Sequence, residues 1–164
     1  MNRMALTVAA GLIVAGCKGQ ASETRNESAD ILAVRNIEIT FHVAGSVLPK
    51  KDLDLMMSIY ADDAVLTDTA HDSKVYKGKS EVRAFFEQVA APFRPENHYI
   101  GYTPAMRIKS NVSGDSATIY FECLWMDVDK NAIGTHAFTD MTLARAPGNR
   151  WLVKTVSVGK VATL

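Results

Sequence analysis

Two side chains that can carry protons, those of His136 and Asp140, lie four residues apart in the segment AIGTHAFTDMTLAR, residues 132–145. The regular alternation of this segment predicts a β-strand, whose two-residue period places His136, Phe138 and Asp140 on one face. An imidazole titrates near neutral pH, and burial in an apolar pocket raises the pKa of a carboxylate. The pair therefore has two interpretations: it transfers protons inside a pocket, or it belongs to a polar outer face of a sheet.

The elements that must position this pair are helices in the first half of the chain and strands in the second. Apolar residues three and four apart predict three helices. The first starts at Ser28, and the predicted buried stripes are Ile31, Val34, Ile37 or Glu38, and Phe41 for the first helix, Leu53, Met56, Met57 and Tyr60 for the second, and Val82, Phe85, Phe86 and Val89 for the third. DDAVLTDTA and KVYKG predict short strands. A meander follows in which the segment HYIGYTPAMRIKSN and three further long strands are joined by the turn segments SGD, DKN and APGN. This order predicts an α+β fold with the three helices packed on one face of a mostly antiparallel sheet.

Composition limits the function classes. The 164 residues are 48 % hydrophobic, with 18 basic and 18 acidic side chains. A neutral chain without a basic block argues against a nucleic-acid partner. No histidine pair has the spacing of a metal site, and there is no glycine-rich phosphate loop, so we expect neither a metal nor a cofactor. Cys123 lies in an apolar strand pattern, which favours a buried hydrophobic role over a nucleophile.

The first 16 residues predict a signal peptide, with Arg3 before an apolar run too short to span a bilayer. The run ends in VAGC, which resembles a bacterial lipobox, so we expect residues 1–16 to be removed and Cys17 to be lipidated. Residues 17–27 then form a flexible tether, and residues 28–164 form one domain. The lipid would be the only membrane contact. Because Lys18 follows Cys17 where an Asp would favour the inner membrane, we expect the periplasmic side of the outer membrane.

Four segments resemble the SnoaL-like branch of the nuclear-transport-factor-2-like superfamily. In chain order they are DLDLMMSIYADDAVLTD, VYKGKSEVRAFFEQV, SGDSATIYFECLW and PGNRWLVKTVSV. The resemblance extends over nearly all of residues 28–164. It implies a strongly bent, cone-shaped sheet that the helices close into an apolar cavity. The family includes dehydratases, isomerases and epoxide hydrolases, as well as proteins that only bind or dimerise, so the fold does not decide the function.

Within this family the segment NHYIGYTPAM is most similar to the scytalone-dehydratase-like group. The resemblance implies that His98 matches the first active-site histidine of that group and that Asp140 takes the place of a cavity asparagine. The second active-site histidine falls near Met126 and Asp127, so it is missing here. The helical aspartate falls near His42, which we otherwise expect, like His71, on the surface or in a loop. These departures argue against the same dehydration chemistry.

Asp127 joins the candidates because it continues the apolar face of the strand that starts at Ala117, which places it at the mouth or floor of the cavity unless a bulge reverses the faces. A carboxylate beside a histidine suits proton abstraction next to a carbonyl, followed by isomerisation or loss of water. The candidate catalytic residues are His98, Asp127, Asp140 and His136, and the candidate ligand contacts are Tyr60, Tyr102, Phe85 and Trp125.

Two functions remain open from the sequence. In the first, the domain holds a small apolar molecule in its cone and acts as a cofactor-independent dehydratase or isomerase. In the second, it is a non-catalytic binding or dimerisation module of the cell envelope. For both functions the resemblance implies a homodimer through the open sheet face. If His136 and Asp140 lie on that face, they contribute to the dimer surface.

Overall fold

The computed structural model describes residues 27–45, 52–89, 99–100, 105–127 and 132–161. Three helices, α1 (Glu27–Gly45), α2 (Leu53–Ser58) and α3 (Lys79–Val89), lie in the first half of the chain. The strands are β1 (Tyr60–Asp68), β2 (Lys74–Lys77), β3 (Tyr99–Ile100), β4 (Met106–Ser113), β5 (Ser116–Asp127), β6 (Ala132–Ala146) and β7 (Arg150–Lys160). This arrangement confirms the predicted α+β class. The signal peptide, Cys17 and the tether fall outside the described residues.

The strands form one sheet in the order β2-β1-β7-β6-β5-β3, with β4 also paired to β5. All pairs are antiparallel except β1 with β7, which is parallel. The predicted meander is therefore present as β4 to β7, because short turns suffice to join antiparallel neighbours. Gly148, in the turn between β6 and β7, has φ +77°, a conformation that glycine adopts without a steric penalty.

Helix α1 packs on the inner face of the sheet, which we define as the face covered by the helices. Val34 and Ile37 are buried there, as predicted, but Ile31 is exposed and the buried position is Asp30. The reason is an ion pair: both Asp30 carboxylate oxygens accept bonds from the Arg145 guanidinium at 2.7 Å. The apolar stripe predicted for this helix is therefore interrupted by a buried charge pair that joins it to β6.

The segment from α2 to α3 contributes further side chains to the hydrophobic core. The predicted second helical stripe included Tyr60, but α2 ends at Ser58 and Tyr60 begins β1. Tyr60 is nevertheless completely buried, and Phe85 and Phe86 of α3 are almost so. The side chain of Asp52 caps α2 by accepting a bond from the Leu55 amide at 2.9 Å.

Among the described helices, none combines the length and the hydropathy needed to cross a membrane.

Strand β5 has the two faces that its alternation predicts. Ala117, Ile119 and Phe121 are buried on the inner face. The outer face carries Thr118 and Tyr120. The pairing of β5 with β6 shifts register between Trp125 and Met126, where Trp125 lies opposite Thr135 and Met126 opposite Ile133. The one-residue excess is on β6, so a bulge lies close to the end of the strand that was expected to carry Asp127 into the interior.

Candidate functional site

His136 and Asp140, the pair that the sequence puts first, lie on the outer face of the sheet. On β6 the buried inner positions are Thr139, Met141 and Leu143. The intervening residues point outward, since strand side chains alternate. Asp140 is exposed, and the His136 side chain is 30 % exposed. The structure thus matches the second of the two interpretations, and neither residue is among those that face the interior, the space between the helices and the inner face.

The other sequence candidates divide into two groups. Tyr60 and Phe85 are buried in the core between α3 and the sheet. His98 and Tyr102 lie outside the described residues, and so do the side chains of Trp125 and Asp127, whose strand is described. The structure therefore does not bring the four candidate catalytic residues together in its described part.

A carboxylate and a histidine that do face the interior both lie on α1. Glu38 and His42 are one helical turn apart, a spacing that brings side chains together on one helix face. The imidazole Nδ1 is 2.8 Å from Glu38 Oε1 and 2.9 Å from the Glu38 carbonyl oxygen. Both oxygens are acceptors, so Nδ1 carries the proton and donates it. The Glu38 side chain is only 7 % exposed and that of His42 is 16 % exposed, which makes this a largely buried dyad.

The second imidazole nitrogen of His42 faces a thiol. Its Nε2 lies 3.0 Å from Cys123 Sγ, on the inner face of β5. Burial, with a smaller contribution from the negative charge of Glu38, raises the pKa of Cys123 to about 12. The thiol is therefore protonated at neutral pH and donates a weak hydrogen bond to Nε2. Glu38 and Cys123 thus hold the His42 imidazole in one tautomer, with the proton on Nδ1 and the lone pair on Nε2. We call Glu38, His42 and Cys123 the relay.

Aromatic rings surround this relay. The His42 ring lies 4.8 Å from that of Phe121, and Phe41 lies 5.4 Å from Phe121 and 5.8 Å from Phe86. Phe86 in turn lies 5.9 Å from the ring of Tyr60. The part of the hydrophobic core next to the dyad is therefore lined by aromatic rings.

Tyr60 adds one polar atom to the same hydrophobic core. Its ring is completely buried, and its hydroxyl has no hydrogen-bond partner in the described part of the chain. Burial raises the pKa of Tyr60 far above the ordinary value of a phenol, so the group stays neutral and keeps its proton. An unpartnered buried hydroxyl costs about 1–3 kcal/mol, and a bound carbonyl or hydroxyl would remove that cost.

Sequence reasoning missed the dyad. The spacing in α1 allows either Ile37 or Glu38 in the buried stripe, and we expected His42 on the surface or in a loop. The second expectation is wrong, because α1 continues to Gly45 and carries His42 against Phe121. The available signal was the four-residue spacing of a carboxylate and an imidazole within a predicted helix, together with the alignment of His42 to the family's helical aspartate.

A second polar cluster lies on the outer face around Glu122. Its carboxylate accepts bonds from the Tyr120 hydroxyl at 2.7 Å and from His136 Nε2 at 2.6 Å, and Arg107 Nη1 lies 3.2 Å away. The Tyr120 hydroxyl first, and then His136 and Arg107, hold the pKa of Glu122 below its ordinary value. Although it points outward, the Glu122 side chain is only 5 % exposed. Its carboxylate therefore finds its hydrogen-bond donors within the cluster instead of in water.

A β-bulge aims Arg107 at this carboxylate. Met106 pairs with Glu122 and Lys109 with Tyr120, which leaves two residues of β4 opposite one residue of β5. Arg107 has φ +49° at this bulge, an uncommon conformation for a residue other than glycine. Within the described residues, no group of three or more His, Cys, Asp or Glu side chains is arranged to hold a metal ion.

The comparison with protein families now assigns this architecture. A model of the SnoaL-like domain matches residues 43–161, most of the chain. The chain belongs to the SnoaL-like domain family. No curated protein matches it. The matched SnoaL-like region includes Tyr60, Phe86 and Cys123 but begins one residue after His42, so the dyad on α1 precedes it.

Solved structures show the same fold at low sequence identity. An NTF2-like protein with a cystatin-like fold from Novosphingobium aromaticivorans has a TM-score of 0.68 at 11 % identity, over 84 % of this chain and 86 % of that one. A proposed dehydratase of the NTF2-like family from Streptomyces avermitilis has a TM-score of 0.63 at 16 % identity, over 84 % and 100 %. A proposed ketosteroid isomerase from Parabacteroides distasonis gives 0.57 at 14 %, over 85 % and 93 %.

Proposed function

We propose that this SnoaL-like domain binds a small, largely apolar molecule that carries a carbonyl or hydroxyl group, and that His42 moves a proton on it. The observation that carries the proposal is the Glu38–His42 dyad, buried against the inner face of β5 with Nδ1 fixed at 2.8 Å from the carboxylate. A carboxylate that holds one nitrogen of a histidine leaves the other as the reactive atom. That atom, Nε2, lies 3.0 Å from the Cys123 thiol, on a histidine whose ring packs against Phe41 and Phe121.

The reaction class follows from the atoms that are present. Nε2 of His42 takes a proton from the carbon next to a carbonyl, and the electron pair of that C–H bond moves into an enolate. The neutral Tyr60 hydroxyl donates a hydrogen bond to the enolate oxygen. Return of the proton at another carbon gives an isomer, whereas departure of a β-hydroxyl with that proton gives water and an unsaturated product. Before either reaction, the substrate replaces the weak thiol contact of Cys123 with Nε2.

Two observations support an isomerase or dehydratase. Relatives with this fold include a proposed dehydratase and a proposed ketosteroid isomerase. The acid–base groups of the interior, Glu38 and His42, need neither a metal nor a cofactor for proton transfer between carbon atoms. His98 and Asp127 stay predictions of further acid–base residues in the same cone.

A direct test follows the isomerisation of a β,γ-unsaturated cyclic ketone to its conjugated isomer by ultraviolet absorbance. We expect His42→Asn to lower kcat by about 10²–10⁴-fold, which is the usual contribution of a positioned acid–base group. Glu38→Gln should lower kcat less, since the imidazole remains. His71→Asn is the matched control: this histidine is 78 % exposed, and its loss should leave the rate unchanged. Equal rates for all four proteins would refute the assignment of His42.

The alternative function is a non-catalytic binding module of the cell envelope. One observation favours it: Nε2 of His42 already has a partner in Cys123 Sγ at 3.0 Å. A binding module would take up the ketone without turnover, and Cys123→Ala would not alter that. In an enzyme, by contrast, Cys123→Ala removes the competitor for Nε2 and should raise the rate at low ketone concentration.

We also infer that the chain is a lipoprotein anchored through Cys17 on the periplasmic side of the outer membrane. The support is the VAGC segment at the end of an apolar run. Replacement of Cys17 with Ser should release the chain into the soluble fraction and prevent incorporation of labelled palmitate. Membrane retention of Cys17→Ser at the level of the unaltered chain would overturn this inference.

A further inference from the structure

Helix α1 has two opposite apolar faces. Val34 and Ile37 pack into the core, whereas Leu32 is 66 %, Ile39 52 % and Val43 56 % exposed. At about 100° per residue these three side chains lie on the side of the helix that faces away from the sheet. A helix that covers a sheet on one side normally carries polar residues on its other side. The exposed face of α1 therefore has the composition of a surface that packs against a second partner.

The spacing on this face indicates what kind of partner fits. The four exposed residues that we call the seam, Leu32, Asn36, Ile39 and Val43, follow one another at intervals of four, three and four. This is the a/d pattern by which one helix packs along another, with Asn36 and Val43 at a positions and Leu32 and Ile39 at d. An asparagine at an a position fixes register and favours a two-stranded parallel pair, in which it meets its own copy.

The chemistry of the seam selects a second copy of this chain over a lipid surface. Inserted into the hydrocarbon region, the Asn36 amide would lose its hydrogen-bonding partners, which is costly. Against a second copy, the same amide supplies both a donor and an acceptor across the two-fold axis. None of the four seam residues is charged, so no like charges oppose each other along it.

We propose that α1 pairs in parallel with α1 of a second copy, with Asn36 facing its symmetry mate. The seam covers the twelve residues from Leu32 to Val43, or about 16 Å of helix. One such helix pair buries less surface area than a standard protein–protein interface. The pair is therefore weak in dilute solution. It becomes populated when two chains are held on one membrane, because both helices begin at Glu27, ten residues after the proposed lipid site at Cys17. This surface is separate from the outer sheet face.

The test uses the full chain in its cell membranes and introduces Asn36→Cys. Copper phenanthroline then oxidises neighbouring cysteines to disulfides, and a non-reducing gel separates the linked dimer from the monomer. We expect Asn36→Cys to give at least about tenfold more disulfide-linked dimer than Glu87→Cys, since only the seam has a raised effective concentration. Glu87 is an exposed position on α3 and reports random collision. Leu32→Asp with Ile39→Asp should abolish the Asn36→Cys dimer. The circular dichroism of the two-aspartate variant should match that of the unaltered chain, because the Leu32 and Ile39 side chains are both exposed.

Four results would overturn the proposal. The first is that Asn36→Cys cross-links no more than Glu87→Cys, and the second is that its dimer survives the two aspartates. The third is that Thr142→Cys, at an exposed outer-face position on β6, cross-links in place of Asn36→Cys, which would indicate a sheet-face dimer. Loss of membrane retention in the two-aspartate variant, without any Asn36→Cys dimer, would instead assign the seam to a lipid surface.

Discussion

Removal of the Tyr60 hydroxyl should stabilise the protein, which is the opposite of the usual effect of a Tyr→Phe change in a core. The oxygen is completely buried and has no partner among the described residues. An unsatisfied buried hydroxyl costs about 1–3 kcal/mol, and the small void left by the oxygen offsets part of that gain. We therefore expect Tyr60→Phe to raise the free energy of unfolding by about 1 kcal/mol, equivalent to about 2–4 °C in Tm.

Tyr120→Phe is the matched control because its hydroxyl donates to Glu122 at 2.7 Å. A hydrogen bond to a charged group contributes about 1.5–3 kcal/mol, so this variant should be less stable by about 1–2 kcal/mol once its partial exposure is considered. Urea unfolding followed by circular dichroism measures both changes on one scale. A loss of 1 kcal/mol or more in Tyr60→Phe would show that the hydroxyl already has a partner, and would refute the argument that it is available to a ligand.

Three further predictions address the other polar groups. Because the pKa of Cys123 is about 12 instead of 9.0, iodoacetamide at pH 8 should alkylate it about 10³-fold more slowly than an unfolded-chain thiol; a similar rate in urea and in buffer would contradict this. The lowered pKa of Glu122 adds stability that is complete above the ordinary carboxyl value of 4.5 and is lost as the pH falls through the lower folded value. The unaltered chain should therefore lose stability more steeply below pH 4.5 than Glu122→Gln, and parallel pH profiles would refute the assignment. Asp30→Ala should cost about 2 kcal/mol in urea unfolding, because Arg145 loses two charged hydrogen bonds but keeps Asp115 as a partner; Asp54→Ala, which breaks the exposed pair with Arg83, should cost much less.

The fold could be predicted because its signals are local. The alternation of β5 and β6, the turns at Gly114 and Gly148 and the three- and four-residue spacing of Val82, Phe85 and Phe86 all have direct structural counterparts. The errors occurred where a long-range contact overrides a local pattern. Asp30 replaces Ile31 in the buried stripe of α1 because Arg145, 115 residues later, provides its charge partner.

The candidate site was harder to predict because strand alternation alone does not say which face is inner. His136 and Asp140 share a face, as their spacing predicts, but that face is the outer one, because Thr139 and Met141 fill the core. The dyad of Glu38 and His42 depends on the rotation of α1 over β5. No sequence pattern states that rotation, although the four-residue spacing allowed the pair to meet.

Deuterium exchange next to the carbonyl of a small cyclic ketone, followed by proton NMR in D₂O, tests directly whether His42 abstracts a proton. This measurement reports proton abstraction alone and does not require the natural substrate. We expect that the unaltered chain catalyses exchange, that His42→Asn reduces it by about 10²-fold or more and that His71→Asn does not. Exchange that is equally fast in His42→Asn, or no faster with the unaltered chain than in buffer across a range of ketones that bind, would contradict the assignment of His42 as the proton-transfer residue.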